Sequence, residues 1–255
     1  MSYHLLHDLT REKANELAAD ALVIFPTGAT EQHGPHLPVG TDCFAVEHVA
    51  RAAAELASEY FPVVVAPTLP YGSSHHHLPF GGSMSISTET YYRTVYDLTH
   101  SLIQSRFRRI FILNGHGGNN ELVQLVARDL ALQYPANIAA ASYWTPAWDA
   151  LVSVEAHIPG RLPGHAGAFE TAVVMALRPE LVQEPRPERP NAGGSSPRPT
   201  ATYRAEYHGS WQAMDGYTDS PARATAEQGQ RYLDAAVPAV AQALREFYTA
   251  PFLTD

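Results

Sequence analysis

Residues Arg108–Asn120 read RRIFILNGHGGNN, and this stretch decides the fold. The apolar run Arg109–Leu113 has the length and composition of a β-strand, and asparagine and glycine stop it. NGHGGN then turns the chain into a helix expected from about Asn120 to Tyr134. The same unit recurs on either side. Upstream, the run Ala21–Phe25 is stopped by Pro26 and Gly28, and a helix is expected from about Phe44 to Tyr60, with Asp42 placed to cap it. A second run, Phe61–Ala66, ends at Pro67 and Pro70, and after the loop YGSSHHHLPFGGSMSIS a helix is expected from about Thr88 to Ser105. Downstream come a strand at Asn137–Ser142 and a helix over roughly Ala166–Leu177.

Strands alternating with helices predict an α/β fold with a mostly parallel central sheet flanked by helices. No internal repeat interrupts the alternation. The last segment reads as a long helix from about Pro221. Leu233, Val237, Val240, Leu244 and Phe247 lie on one face of it, and Pro238 is expected to kink or split it. Residues 183–200, QEPRPERPNAGGSSPRPT, carry five prolines and two glycines and predict a surface loop. Only about 55 residues follow that loop, so the whole chain, 1–255, is read as a single domain.

Composition removes several classes of function. Lys+Arg number 17 against 26 Asp+Glu, a formal net charge of −9, which argues against a nucleic-acid or anionic-membrane partner. No run approaches the ~18 apolar residues of a membrane span. The start, MSYHLLHDLTREKANE, has no basic-then-apolar secretory pattern. The single cysteine, Cys43, cannot form an internal disulfide, and the location expected is cytoplasmic. Lysine occurs once, as Lys13 in the polar stretch REKANE, which makes Schiff-base chemistry a poor reading. Histidine occurs 13 times, and seven of these (His33, His36, His75, His76, His77, His116 and His165) fall in turns punctuated by glycine or proline. Turns after apolar runs are where ligand-binding imidazoles belong.

Three stretches carry the chemistry. PTGATEQHGPHLPVGTD, Pro26–Asp42, follows the first strand, at the sheet edge where open α/β folds place their ligands. Glu31, His33 and Asp42 from this one loop offer two oxygens and an imidazole, a set suited to Zn²⁺, Mn²⁺ or Fe²⁺. The plainer alternative is two turn residues and a helix cap. In NGHGGN, His116 sits between strand and helix. A phosphate cradle would need GxGxxG or a GK[ST] ending, and neither is present; a buried structural histidine is the other alternative. In PGHAGAFETAVVMAL, Pro163–Leu177, Glu170 lies among apolar residues, where an unpaired carboxylate is costly, and His165 just before the helix is a candidate general acid or base. A capping histidine and a snorkelling glutamate are the plainer readings there.

Together Glu31, His33, Asp42, His116 and Glu170 supply three carboxylates and two imidazoles, enough for two metal ions sharing a bridging carboxylate. Such a centre acidifies a water and polarises a carbonyl, which is hydrolytic chemistry. A serine-hydrolase GxSxG elbow is missing, and Cys43 beside a helix start reads as a buried filler.

The ordered motifs TEQHGPHLPVGTD, NGHGGN, GHAGAFET and GYTDSPARATAEQG resemble the creatininase (creatinine amidohydrolase) family over roughly Leu22–Gly229. The resemblance implies one α/β domain, assembly as a homohexamer and two divalent metal ions per chain. It implies Glu31 and His116 as ligands of one ion, His33 and Glu170 as ligands of the other, and Asp42 as the bridge. His165 matches the position that moves protons between water and the leaving nitrogen. Two departures stand out. Enzymes acting on creatinine carry a glutamate where this chain has Gly118, and an aromatic residue shortly before GHAG, where it has Arg161. The pattern is closer to the branches that include deformylases and a peptide-maturing peptidase.

The expectation is therefore a metal-dependent amidohydrolase cleaving the C–N bond of a cyclic amide, formamide or short peptide. The alternatives are a deformylase acting on a phosphorylated pyrimidine formamide, with Arg161 as a candidate phosphate contact, and a non-catalytic metal-binding hexamer subunit. The loop Gly72–Ser87 is expected to wall the pocket, with His75, His76 and His77 lining it rather than ligating.

Overall fold

Every residue of the strand Leu22–Thr27 is buried, and its alternate side chains feed two different cores. Leu22 and Ile24 point to one face, Val23 and Phe25 to the other. This is the central position of a five-stranded sheet seen in a computed structural model, which describes residues 3–158, 160–189, 205 and 207–252. The strands are β1 (His4–Leu5), β2 (Leu22–Thr27), β3 (Val63–Val65), β4 (Arg109–Asn114) and β5 (Asn137–Ser142). Their order is β1-β3-β2-β4-β5, and every pairing is parallel. The helices are α1 (Arg11–Leu17), α2 (Thr41–Ala57), α3 (Thr88–Gln104), α4 (Asn120–Ala131), α5 (Trp148–Ser153), α6 (Ala168–Leu177), α7 (Ser210–Ala213) and α8 (Ala226–Thr249).

Helices cover both faces, as a sheet of largely apolar parallel strands requires. Residues of α2, α5, α6 and α8 pack on one face with Leu22, Ile24, Phe111 and Leu113. Tyr91, Val95 and Leu102 of α3 and Val123, Val126 and Leu130 of α4 pack on the other with Val23, Phe25, Ile110 and Ile112. The α/β single-domain expectation holds.

From β2 the chain moves through α2 to β3 on one side, then through α3 to β4 on the other. This reversal opens a crevice beyond the carboxyl ends of β2 and β4, the usual place for a ligand in such sheets. Thr27 and Asn114, the last paired residues of those strands, stand at its base.

Several boundaries differ from expectation. Helix α2 starts at Thr41 with Gly40 as its N-cap and no side-chain cap bond, so Asp42 does not cap it. Helix α6 starts at Ala168, because Ala166 has a left-handed φ of 47° that no helix accepts. Helix α8 starts after a Pro221–Arg223 turn, where Thr225 and Gln228 form a capping box. It runs unbroken through Pro238, which is exposed, so the missing N–H leaves its unpaired carbonyl on the side where water can bond it. It also packs closely on α6. A Cβ at Gly229 would lie 1.8 Å from the Ala172 carbonyl oxygen, so only glycine permits this approach. Of the loop expected at 183–200, residues 190–200 lie outside the described residues.

Candidate metal centre

Glu31 and His33 enter the crevice from the loop after β2, Asp42 from the first turn of α2, His116 from the turn after β4, and Glu170 from the first turn of α6. All five are at most 9% exposed. The local sequence holds each in place. Asn114 brackets His116, accepting from its backbone N–H at 3.1 Å and donating to its carbonyl at 2.6 Å. Asn119 ties the neighbouring loops together, donating to the Gly28 carbonyl and accepting from Ser73 N–H, each at 3.0 Å.

Asp42 is the centre of the arrangement. Its Oδ1 stands 3.1 Å from His33 Nε2 and its Oδ2 stands 3.1 Å from His116 Nδ1. Glu31 Oε1 lies 3.2 Å from His116 Nδ1, and Glu170 Oε2 lies 3.7 Å from His33 Nε2. Two groups of ligating atoms share Asp42, Glu31–Asp42–His116 and His33–Asp42–Glu170, and in each the atoms lie within 4.8 Å of one another.

Both Glu31 carboxylate oxygens and Asp42 Oδ2 are buried without an aligned hydrogen bond. Buried carboxylate oxygens left this way are costly unless a cation completes them. In each group two carboxylates, one of them the shared Asp42, and a borderline imidazole fit a divalent ion such as Zn²⁺ or Mn²⁺.

The imidazoles are set up to match. His33 Nδ1 gives its hydrogen to the Glu31 carbonyl at 3.1 Å, and His116 Nε2 gives its hydrogen to the Ser73 carbonyl at 3.3 Å. A carbonyl can only accept, so in each ring the opposite nitrogen is the one that faces the carboxylates. His165 Nε2 donates in the same way to the Gln32 carbonyl at 3.0 Å, which leaves Nδ1 facing Glu31 Oε1 at 3.5 Å.

Charge follows burial and proximity. Burial opposes a charged His33, but Asp42, and then Glu170, overcome it and hold its pKa up at about 10. Burial likewise opposes a charged His116, and Glu31 and Asp42 raise it well above the ordinary imidazole value. Burial raises Asp42, yet His33 and His116 together hold it below the carboxylate range. Burial is also the largest effect on Glu31 and raises it, yet the charge and hydrogen bond of His116, with the charge of His33, leave it lowered. Glu170 goes the other way, and burial pushes it to about 8 despite His33. Burial, and then the charges of His33 and His77, hold His165 well below its ordinary value. The metal-free centre thus pairs two imidazolium ions with its carboxylates.

Above the centre lies a cleft of about 850 Å³. Ser73, His75, His76, His77 and Pro79 form one wall, as expected of the Gly72–Ser87 loop, and Trp144 and Trp211 supply aromatic surface. Arg161 is exposed, and no lysine or arginine among the described residues lines the cleft.

The structure brings all six sequence-predicted residues together. It adds others that sequence reasoning missed. Trp211 packs edge-on against His165 and His77, with ring centroids at 5.3 Å and 4.7 Å. Asp219 accepts from Ala168 N–H at 2.7 Å and from Arg161 N–H at 3.0 Å, anchoring the start of α6. Thr218 beside it pairs with His165 through backbone and hydroxyl. Asp219 lies in GYTDSPARATAEQG, a motif that marked the family without indicating a role. Gly118, the first departure, also has a physical reason. A Cβ there would lie 2.5 Å from His116 Nε2 and 2.6 Å from the Ser73 carbonyl oxygen, so a glutamate could not be seated without breaking that bond.

The creatininase profile, described as creatinine amidohydrolase, matches residues 7–244. The mycofactocin precursor peptide peptidase of Mycobacterium tuberculosis strain H37Rv is 34% identical over 222 residues, 84% of this chain and 81% of the relative. The creatinine amidohydrolase of Pseudomonas putida is 28% identical over 92% of each chain. Among solved structures, one described as creatininase Mn superposes with a TM-score of 0.80 at 26% identity, covering 98% of this chain and 100% of that one. A putative creatinine amidohydrolase from Bacteroides fragilis superposes at 0.75 with 31% identity, covering 99% and 98%. With its fold, its crevice and its motifs in this register, the chain belongs to the creatininase family of hydrolases acting on C–N bonds.

Proposed function

We propose that the whole chain acts as one metal-dependent amidohydrolase domain, cleaving the C–N bond of a cyclic amide, a formamide or a short peptide. The observation that carries this reading is Asp42, whose two buried oxygens each face a different imidazole. Glu31 and His116 would hold one divalent ion and His33 and Glu170 the other, with Asp42 able to serve both. Bound ions of this kind supply Lewis acidity to a carbonyl and lower the pKa of water. His165 is the proton carrier. Its Nε2 is committed to the Gln32 carbonyl, so Nδ1 takes a proton from water and returns it to the leaving nitrogen.

The cleft favours a short peptide, or an amide carried on a larger body, over a small bare ring. A volume of about 850 Å³ lies in the upper range of ligand sites, about 300–1,000 Å³, and a small ring would leave most of it to water. The phosphorylated formamide finds no such support, since no lysine or arginine among the described residues lines the cleft. We also read the enzyme as a cytoplasmic homohexamer, the assembly implied by the family. No described helix is long and apolar enough to cross a membrane.

The test is metal content per chain, measured by mass spectrometry on protein purified without chelator. It is followed by a screen of lactams, formamides and short peptides with and without added Mn²⁺ or Zn²⁺. Close to two divalent ions per chain and a chelator-sensitive hydrolysis are expected. Protein that holds no ion and cannot be loaded would end the catalytic reading.

A further inference from the structure

Of the imidazoles grouped around Glu31, three share one arrangement. His33, His116 and His165 each give a ring hydrogen to a backbone carbonyl and turn the other nitrogen to the centre. His77 differs. Its Nε2 stands 3.5 Å from Glu31 Oε1, buried and without a hydrogen-bond partner, and Glu31, His76 and His77 group closely enough to be taken for a further ligand set.

The side chain of Gln32 decides what His77 can be. Gln32 Oε1 accepts from the Gly34 N–H at 2.8 Å, and Gln32 Nε2 donates to the Gly216 carbonyl at 3.0 Å. A backbone N–H can only donate and a carbonyl can only accept, so the amide has one permitted orientation. Two ring nitrogens lie within reach of its remaining hydrogen, His77 Nδ1 at 2.8 Å and His165 Nε2 at 3.1 Å. His165 Nε2 carries the hydrogen it gives to the Gln32 carbonyl and so cannot accept, which leaves the shorter contact, to His77. His77 Nδ1 is therefore an acceptor, and the ring's hydrogen sits on Nε2. A ligating imidazole needs the reverse, a lone pair toward the ion and a hydrogen on the far nitrogen for an acceptor to take. Ligation through Nε2 would require His77 to give up its one ring N–H and become an imidazolate.

We propose that Gln32 makes His77 a fixed hydrogen-bond donor toward the Glu31 carboxylate, and so a positioning residue of the centre, not a ligand. The distance of 3.5 Å exceeds the 2.9–3.0 Å usual for N–H···O, so the bond closes when the Glu31 carboxylate shifts by about half an ångström. Gln32 thereby acts on two rings at once. Its carbonyl sets the His165 tautomer and its amide sets that of His77, and the two rings stack with centroids 4.2 Å apart and planes at 16°. Through Gly216, the same amide ties this pair to the segment that carries Trp211. The proposal rests on the metal-centre reading for what His77 positions; the tautomer itself does not depend on that reading.

The test is nitrogen NMR of full-length protein labelled with ¹⁵N-histidine, metal-free and after loading with Zn²⁺. The His77 signals are identified by their loss in His77→Gln. A protonated Nε2 and an unprotonated Nδ1 on His77 are expected in both states. A zinc-bound Nε2, or a protonated Nδ1, would overturn the proposal. Gln32→Glu replaces the donor with an acceptor, so it should invert the His77 tautomer and lower kcat by about 10–100-fold with a smaller change in KM. His77→Gln keeps an N–H near the place of Nε2, so it should lose less activity and bind the same number of zinc ions; loss of an ion would overturn the proposal. If Gln32→Glu does not fold, the wild-type spectra still decide. The expected tautomer in a protein with no detectable hydrolysis would support this inference and count against the amidohydrolase reading alone.

Discussion

His33 Nε2 lies 3.1 Å from Asp42 Oδ1, while the opposite nitrogen of the same ring is bonded to the Glu31 carbonyl at 3.1 Å. The ring cannot turn without breaking the second contact, so the first is held by the backbone of its own loop. His116 repeats the arrangement from the other side of Asp42, anchored on Ser73. Two loops from neighbouring strands therefore deliver pre-oriented imidazoles to a single carboxylate. A bridging ligand needs this geometry.

Asp42→Ala should empty both sites, not one. Each of its oxygens belongs to a different group of ligating atoms, so removing the side chain takes a ligand from each. Metal content is expected to fall from near two ions per chain to below one. The loss of kcat should exceed the roughly 10–100-fold typical of residues that only orient a ligand. Mass spectrometry of the variant is the check, and a clean loss of a single ion would mean that Asp42 does not bridge.

Metal-free protein should lose stability as pH rises above neutrality. His33 has a folded pKa of about 10 against an ordinary 6.5, so its contribution is complete below 6.5 and lost as pH climbs to about 10. Glu170, raised from 4.5 to about 8, loses its contribution in the same direction. His36 and His77, lowered by burial to about 4 and about 3, act only below 6.5 and with the opposite sign. Metal binding should run the other way, because ions displace the protons of His33 and His116 and so bind more tightly at higher pH. Thermal melts of chelator-treated and Zn²⁺-loaded protein across this window should diverge. Parallel curves would contradict the charge assignment.

Much of the centre was legible in the chain because its residues sit in short, glycine- and proline-framed turns directly after apolar runs. Glu31, His33 and His116 announce themselves that way, and the carboxylate of Glu170 is conspicuous in AFETAVVMAL. Asp42 was legible as to place but not as to local role, since an acidic residue at a helix start looks the same whether it caps or binds. What stayed hidden depends on encounters between distant segments. Gln32 meets Gly216 across 184 residues, and Asp219 meets Ala168 across 51. Neither contact leaves a local pattern. Strand β1 was missed for a different reason: its two residues are too few to show periodicity and are held by pairing to β3.

His165→Ala should lower kcat by about 10²–10⁴-fold while leaving metal content unchanged. Its Nδ1 stands 3.5 Å from Glu31 Oε1, and the ring belongs to neither group that shares Asp42. Removing it therefore takes a proton carrier and spares the two Asp42-sharing groups. Kinetics alongside metal analysis provide the check. Unchanged kcat would remove His165 from catalysis, and loss of an ion would make it a ligand instead.

Asp219→Ala should destabilise the protein and then weaken catalysis at a distance. The carboxylate accepts from Ala168 N–H and the Thr218 hydroxyl, both buried, and from Arg161 N–H, part-buried. Leaving such donors unpaired costs about 3 kcal/mol, which for a chain of this size lowers Tm by roughly 6–12 °C. The loss falls on the segment that orients His165 and begins α6, two residues before Glu170. Metal affinity and kcat should therefore drop even at temperatures where the variant stays folded. Asp219→Asn, which keeps an acceptor for one of the backbone donors, should lie between the two. Calorimetry paired with Zn²⁺ titration separates the effects, and an Asp219→Ala variant with unchanged Tm would show that the α6 start is held by other contacts.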